Sequence, residues 1–214
     1  MSNSNFATFY LVRHGQTDWN LERKIQGQTD IPLNTVGEQD AQGVAEEFKN
    51  IKFDLAFSSD LLRAKRTTEI IALEHKLTIQ TTKLLRERHF GTLEGQPSAA
   101  FFTELKLLKE LSRQERQKHK LNDGYESDEE FLARVLTFLR ETAIASPGKN
   151  ILVGTHGGTL RMLLLHLGEF SYDDNDANHI KNGGYIVLES DGVDFFLKKI
   201  NGVTNFSNLN KVSL

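Results

Sequence analysis

Along the chain, hydrophobic positions fall into short unbroken runs separated by longer amphipathic stretches. The runs are Phe6 to Val12, Phe53 to Phe57, Ile151 to Val153, Tyr185 to Leu188 and Phe195 to Ile200. Short apolar runs without polar alternation predict strands covered on both faces. The stretches between them carry helical patterns with recognisable starts. Thr35 and Glu38 are spaced for a capping box ahead of Val36, Val44 and Phe48. Ser127 and Glu130 are spaced for another ahead of Phe131, Val135, Phe138 and Leu139, a helix that Pro147 and Gly148 end. Further helices are predicted from about Leu61 to His75 and from Gly158 until Gly168. Strands alternating with helices predict an α/β fold, three-layer α/β/α, around a mostly parallel sheet.

Two stretches modify that plan. Ser190, Asp191 and Gly192 separate the last two apolar runs and read as a hairpin, so the sheet is expected to finish with an antiparallel edge strand. Between Gly95 and Ser127 the alternation gives way to Phe101, Phe102, Leu105, Leu108 and Leu111 at helical spacing, then to a charged stretch from Arg113 to Lys120. This predicts a small helical cap inserted at about 96–126 in a single domain spanning 1–214, with the charged stretch as a solvated helix face.

Composition narrows the function classes. With 214 residues, 38% hydrophobic and 26% charged, the chain is long enough for one α/β domain with a sizeable core. A formal net charge of −3 supplies no field to attract nucleic acid, which is not an expected partner. The absence of cysteine excludes disulfides, thiolate catalysis and cysteine-ligated zinc. No apolar run reaches the roughly 18 residues of a membrane span. Met1 to Asn5 is polar rather than leader-like, so no membrane partner and a cytoplasmic location are the expectations.

In open parallel sheets, ligands bind beyond the carboxyl ends of strands. Two such ends carry chemistry here: Arg13, His14 and Gly15 follow the first run, and Thr155, His156, Gly157 and Gly158 follow Ile151 to Val153. A lone histidine usually has a structural or surface role. Two of them, each at a strand end and each followed by glycine, suggest a site where backbone approaches a ligand closely. The helix after Gly158 can also present its amino terminus to an anion.

Around these residues the chain resembles the histidine phosphatase superfamily, in the branch of phosphoglycerate mutases and fructose-2,6-bisphosphatases. The resemblance rests on Leu11-Val12-Arg13-His14-Gly15-Gln16-Thr17, joined in order by Asn20, Gln26-Gly27 and Ser58-Ser59-Asp60-Leu61-Leu62-Arg63-Ala64. It continues through Arg86-Glu87-Arg88-His89-Phe90-Gly91, Glu94-Gly95 and His156-Gly157-Gly158. The resemblance implies that His14 is a nucleophile forming a phosphohistidine, with its other ring nitrogen held by the Gly15 carbonyl. It implies that Arg13, Arg63 and His156 meet the phosphoryl oxygens, and that Glu87 is the general acid and base. Asn20, Gln26, Gly27 and Gly157 would contact the substrate. No cluster has metal-ligand spacing, and the implied chemistry needs neither metal nor cofactor. Of the remaining histidines, His89 is the one near enough to Glu87 to line the pocket, whereas His75, His119, His166 and His179 read as surface or packing groups.

The same residues serve hydrolases and mutases. Phe90 stands where mutases typically carry tyrosine, Gln26-Gly27 is hydrolase-like, and the cap offers scattered Arg113, Arg116, Lys118 and Lys120 rather than an arginine pair. The expected function is therefore a phosphatase acting on small phosphate monoesters, a sugar phosphate or similar phosphorylated metabolite. It looks closest to the fructose-2,6-bisphosphatase-like and broad-specificity phosphatases. A mutase and a non-catalytic binding relative remain the alternatives. Leu93, and the extra residue in Gly124-Tyr125-Glu126-Ser127, leave substrate choice open, and oligomeric state is open too, a homodimer included.

Overall fold

A computed structural model describes residues 5–172 and 179–204, so the polar start from Met1 to Ser4 lies outside the described residues. The side chains of Phe102 and His179 lie outside them as well. Six strands form one sheet: β1 Ala7–Arg13, β2 Leu55–Ser59, β3 Ile79–Thr82, β4 Asn150–Thr155, β5 His179–Ser190 and β6 Phe195–Thr204. They lie in the order β3-β2-β4-β1-β5-β6. The first four in that order are parallel to one another. β5 runs antiparallel to β1, and β6 antiparallel to β5, as the predicted hairpin requires. The reversed strand is thus second from the edge, with β6 outside it.

Alternation along β1 shows why helices cover both faces. Phe9 and Leu11 point into a core built with α6 Asp128–Ala145 and α7 Gly157–His166. Tyr10 and Val12 point the other way, toward α2 Thr35–Phe48 and α3 Leu62–Glu74. Inward-facing apolar residues on a central strand leave neither face to water, which is the three-layer arrangement. Among the described residues, no helix is long and apolar enough to cross a membrane.

Helix starts follow the capping chemistry, with one displacement. Ser127 and Glu130 form the expected reciprocal box at the start of α6. At α2 the cap is Asn34, whose side chain accepts from the Gly37 N–H, and Thr35 is already helical. Asparagine caps as well as threonine, so the register shifts one residue upstream. A one-turn helix, α1 Asp18–Leu21, carries a capping box between Thr17 and Asn20. The 96–126 segment holds α4 Ser98–Leu107 and α5 Arg113–Lys118, and a bridge between Phe90 and Tyr125 closes it back toward the sheet.

Candidate active site

The parallel register of β1 and β4 sets Arg13 opposite Thr155, so the residues that follow each strand, His14 and His156, emerge side by side. Their rings are 5.3 Å apart between centroids. Both are buried. The His14 N–H on the main chain donates to the Thr155 carbonyl at 3.0 Å, tying the two strand ends together.

His14 Nδ1 lies 2.7 Å from the Gly15 carbonyl, the contact that the family resemblance implied. A carbonyl only accepts, so Nδ1 carries the proton and Nε2 keeps the lone pair. Burial, then the positive charges of Arg63 and Arg13, holds this imidazole well below the ordinary 6.5, so it is neutral at pH 7. Gly15 has to be glycine, because a Cβ there would sit 2.1 Å from the Gly37 carbonyl oxygen. Asn182 Nδ2 donates to the His14 carbonyl at 3.0 Å and holds the same turn from the β5 side.

Arg63 is fully buried, with Nη1 donating to the Thr29 carbonyl at 2.8 Å and Nη2 to the Gly27 carbonyl at 2.6 Å. Burial pulls its pKa down to about 10, which leaves the guanidinium charged at neutral pH. Arg13 Nη1 donates to the Ile180 carbonyl. His156 Nε2 lies 2.9 Å from Ser59 Oγ, and burial, followed by the Arg63 charge, keeps this ring neutral too. Among the described residues, these anchors leave Arg13 Nε, Arg63 Nε and His156 Nδ1 buried without a hydrogen-bond partner. Buried polar nitrogens without partners are costly, so such a group of them beside a neutral imidazole fits a site that receives an anion.

Glu87 completes the group. Its Oε1 accepts from the Arg88 N–H and its Oε2 from the Gly158 N–H, both at 2.8 Å. A Cβ on Gly158 would lie 2.2 Å from Glu87 Oε1, so only glycine admits the carboxylate here. Arg86 and Arg88, which flank it, turn away. Arg86 forms a two-bond pair with Asp60 at 2.7 Å, and Arg88 pairs with Asp128 at 2.5 Å.

The expected substrate contacts divide. Gly157 opens α7 beside Arg13, since a Cβ there would be 3.0 Å from Arg13 Nε. Gly27 supports Arg63 through its carbonyl, in a left-handed conformation with φ of 54°. Asn20 uses Oδ1 to accept from the Thr17 and Asn182 N–H groups at 3.1 and 3.2 Å, so its remaining donor is the amide Nδ2. Gln26 is buried with Oε1 unpartnered. His89 does not face Glu87: its Nδ1 contacts the Gly124 carbonyl and the Gly91 N–H. Among the described residues, no three His, Cys, Asp or Glu side chains gather as a metal site does.

Several positioning residues were not assigned roles from sequence. Arg134 donates to the carbonyls of Leu84, Arg86 and Glu87 at 2.9, 2.6 and 2.9 Å while pairing with Glu126 at 2.6 Å. Glu94 accepts from the N–H groups of Gln28, Thr29 and Phe90, fastening the loop that carries Gly27 to the segment after Glu87. Ser59 and Glu94 sit inside the quoted motifs, and that was their only signal. Arg134 and Asn182 had none.

A model of the histidine phosphatase superfamily (branch 1) matches residues 9–202. The chain is 38% identical over 157 residues to an uncharacterised phosphatase, PhoE, of Bacillus subtilis, covering 73% of this chain and 75% of that protein. It is 35% identical over 171 residues to a 2,3-bisphosphoglycerate-dependent phosphoglycerate mutase of Gloeobacter violaceus, covering 77% of each. Among solved structures, a phosphoserine phosphatase from Entamoeba histolytica in complex with 3-phosphoglyceric acid is similar at TM-score 0.71 and 27% identity, covering 91% of this chain and 96% of that one. With a family match over residues 9–202 and paired histidines at adjacent strand ends, the chain belongs to the histidine phosphatase superfamily, branch 1.

Proposed function

We propose that this protein is a phosphatase that hydrolyses small phosphate monoesters through a phosphohistidine on His14. The observation that carries this reading is the neutral His14 with Nδ1 on the Gly15 carbonyl, set beside three buried nitrogens without partners, on Arg13, Arg63 and His156. In the first step, His14 Nε2 attacks phosphorus and the ester oxygen leaves. Glu87 supplies the proton to that oxygen. In the second, water attacks the phosphohistidine, Glu87 takes the proton, and inorganic phosphate leaves with the imidazole restored. Arg13, Arg63 and His156 meet the equatorial oxygens, where negative charge spreads during transfer, and the two guanidinium groups supply the charge a metal would otherwise bring. Gly157 and Asn20 offer neutral N–H donors to the same phosphate, with Gln26 and Gly27 shaping the loop beside it.

Relatives named as mutases keep phosphotransfer to a second hydroxyl as the other reading. One experiment separates the two. The protein is incubated with 3-phosphoglycerate and catalytic 2,3-bisphosphoglycerate, and free phosphate and 2-phosphoglycerate are both followed, for the protein as it stands and for His14→Ala. The expected result is phosphate release, reduced at least about a thousandfold in the variant. Rapid isomerisation without phosphate release would establish the mutase instead.

A further inference from the structure

A cavity of about 100 Å³ lies between the cap and α7, lined in part by the two residues whose main chain holds the carboxylate of Glu87. Two of its lining residues make the connection. The main-chain N–H groups of Arg88 and Gly158 are the donors that hold the two Glu87 oxygens. An ester oxygen protonated by Glu87 therefore has this cavity next to it for the rest of the leaving alcohol.

The wall specifies what that alcohol is. It is largely apolar and aromatic, with Phe90, Phe101, Leu105, Leu108, Met162 and Leu165 among its residues. Its buried polar groups are already engaged with one another. Arg88 pairs with Asp128 at 2.5 Å and donates to the Glu126 carbonyl at 2.9 Å, while the Tyr172 hydroxyl donates to Asp128 at 2.7 Å. A sugar placed here would leave hydroxyls without partners, at a cost of about tenfold in affinity for each. The volume compares with the roughly 150 Å³ cavity that accepts benzene, so a single ring or a short branched chain fills the space.

Arg116, from the charged stretch of the cap, stacks 4.5 Å over the Tyr172 ring and forms no salt bridge with the described residues. A guanidinium placed against apolar surface favours a planar anion, which it can meet with two parallel N–H groups. We propose that this cavity receives the leaving alcohol of the phosphate ester, and that the alcohol it selects is a compact apolar group of about ring size bearing a carboxylate that faces Arg116. The inference rests on the phosphatase reading given above, and goes beyond it by naming the substrate class. Tyr125, the extra residue before Glu126, belongs to the wall, and its hydroxyl accepts from Arg88 at 3.3 Å. The departure noted in the sequence therefore bears on substrate choice.

The test compares kcat/KM for benzyl phosphate, 4-carboxybenzyl phosphate, glycerol 1-phosphate and glucose 6-phosphate. All four are primary alkyl esters, so the intrinsic difficulty of expelling the alcohol is similar. The carboxybenzyl ester is expected to be best, by at least about tenfold over glucose 6-phosphate. Arg116→Gln should lower the ratio of carboxybenzyl to benzyl ester about tenfold, the worth of one charge-assisted contact. Leu105→Trp, which fills the cavity, should lower the ratio of benzyl ester to glycerol 1-phosphate by a similar factor. If glucose 6-phosphate or glycerol 1-phosphate outperforms both benzyl esters, or if Arg116→Gln leaves its ratio unchanged, the assignment fails while the phosphatase reading stands. Phosphate release from none of the four by folded protein would overturn both.

Discussion

At His14 and His156, burial fixes the protonation state that the proposed chemistry requires, and this has a measurable effect on the fold. Each ring is held neutral because burial, with nearby guanidinium charge, pushes its pKa well below the ordinary value. A histidine in the unfolded chain takes up its proton near pH 6.5. Below that pH the unfolded chain binds more protons than the folded one. The contribution of these rings to stability is thus complete above about pH 6.5 and declines as the pH falls toward the lowered folded values. Between pH 6.5 and pH 5.5 the two together should cost up to about 2 kcal/mol, the limit set by the unfolded value of about 6.5. Urea unfolding at those two pH values measures it, and the double variant His14→Ala with His156→Asn should lose much less over the same interval. A pH-independent transition midpoint in the unsubstituted protein would contradict the neutral, desolvated state of the rings. Both histidines were legible in the sequence because a strand end followed by glycine is a local pattern. Ser59 and Asn182, which hold them, were not, because their contacts with His156 and with the His14 carbonyl join residues far apart in the chain.

The element that deserves testing is α6, through Arg134. This side chain gathers three consecutive-region carbonyls, of Leu84, Arg86 and Glu87, and secures them against Glu126. We regard it as a positioning residue that aims the Glu87 carboxyl without touching substrate. Arg134→Met should lower kcat on alkyl phosphates by about tenfold to a hundredfold with KM within about threefold. The loss should shrink on 4-nitrophenyl phosphate, whose leaving group needs little help from an acid. Equal losses on both substrates would leave Arg134 with a purely structural role. Elements were legible where the pattern was strong, as in α3, α6 and α7. β3 was not expected, because Ile79–Thr82 has only partly buried and exposed positions at the end of the sheet and so shows no continuous apolar run. The start of α2 was misplaced by one residue because Asn34 and Thr35 are both good caps, and the Asn34 contact with the Gly37 N–H decided between them.

For the whole molecule, the sheet order explains how distant segments meet. β4 inserts between β1 and β2, so the loops after β1, β2 and β4 open at the same end, bringing His14, Arg63 and His156 together. Glu87 reaches them along the chain that leaves β3, fastened to the amino terminus of α7 by Gly158. The α/β character and the residues that gather at the strand ends could be read from sequence, because both depend on strand periodicity and on motifs at strand ends. The cavity under the cap could not, since Arg116 and Phe101 acquire their roles by meeting α7 across the fold.

All of this converges on one covalent step, and trapping it is the most direct test. Folded protein mixed with a phosphate monoester labelled on phosphorus is quenched in alkali within milliseconds to seconds, digested, and the labelled peptide is mapped. The account predicts label on the peptide containing His14, stable to alkali and lost in acid, and absent from His14→Ala. Label on any other residue, or substrate turnover with no labelled protein at any quench time and phosphate released in a single displacement with inverted configuration, would contradict it.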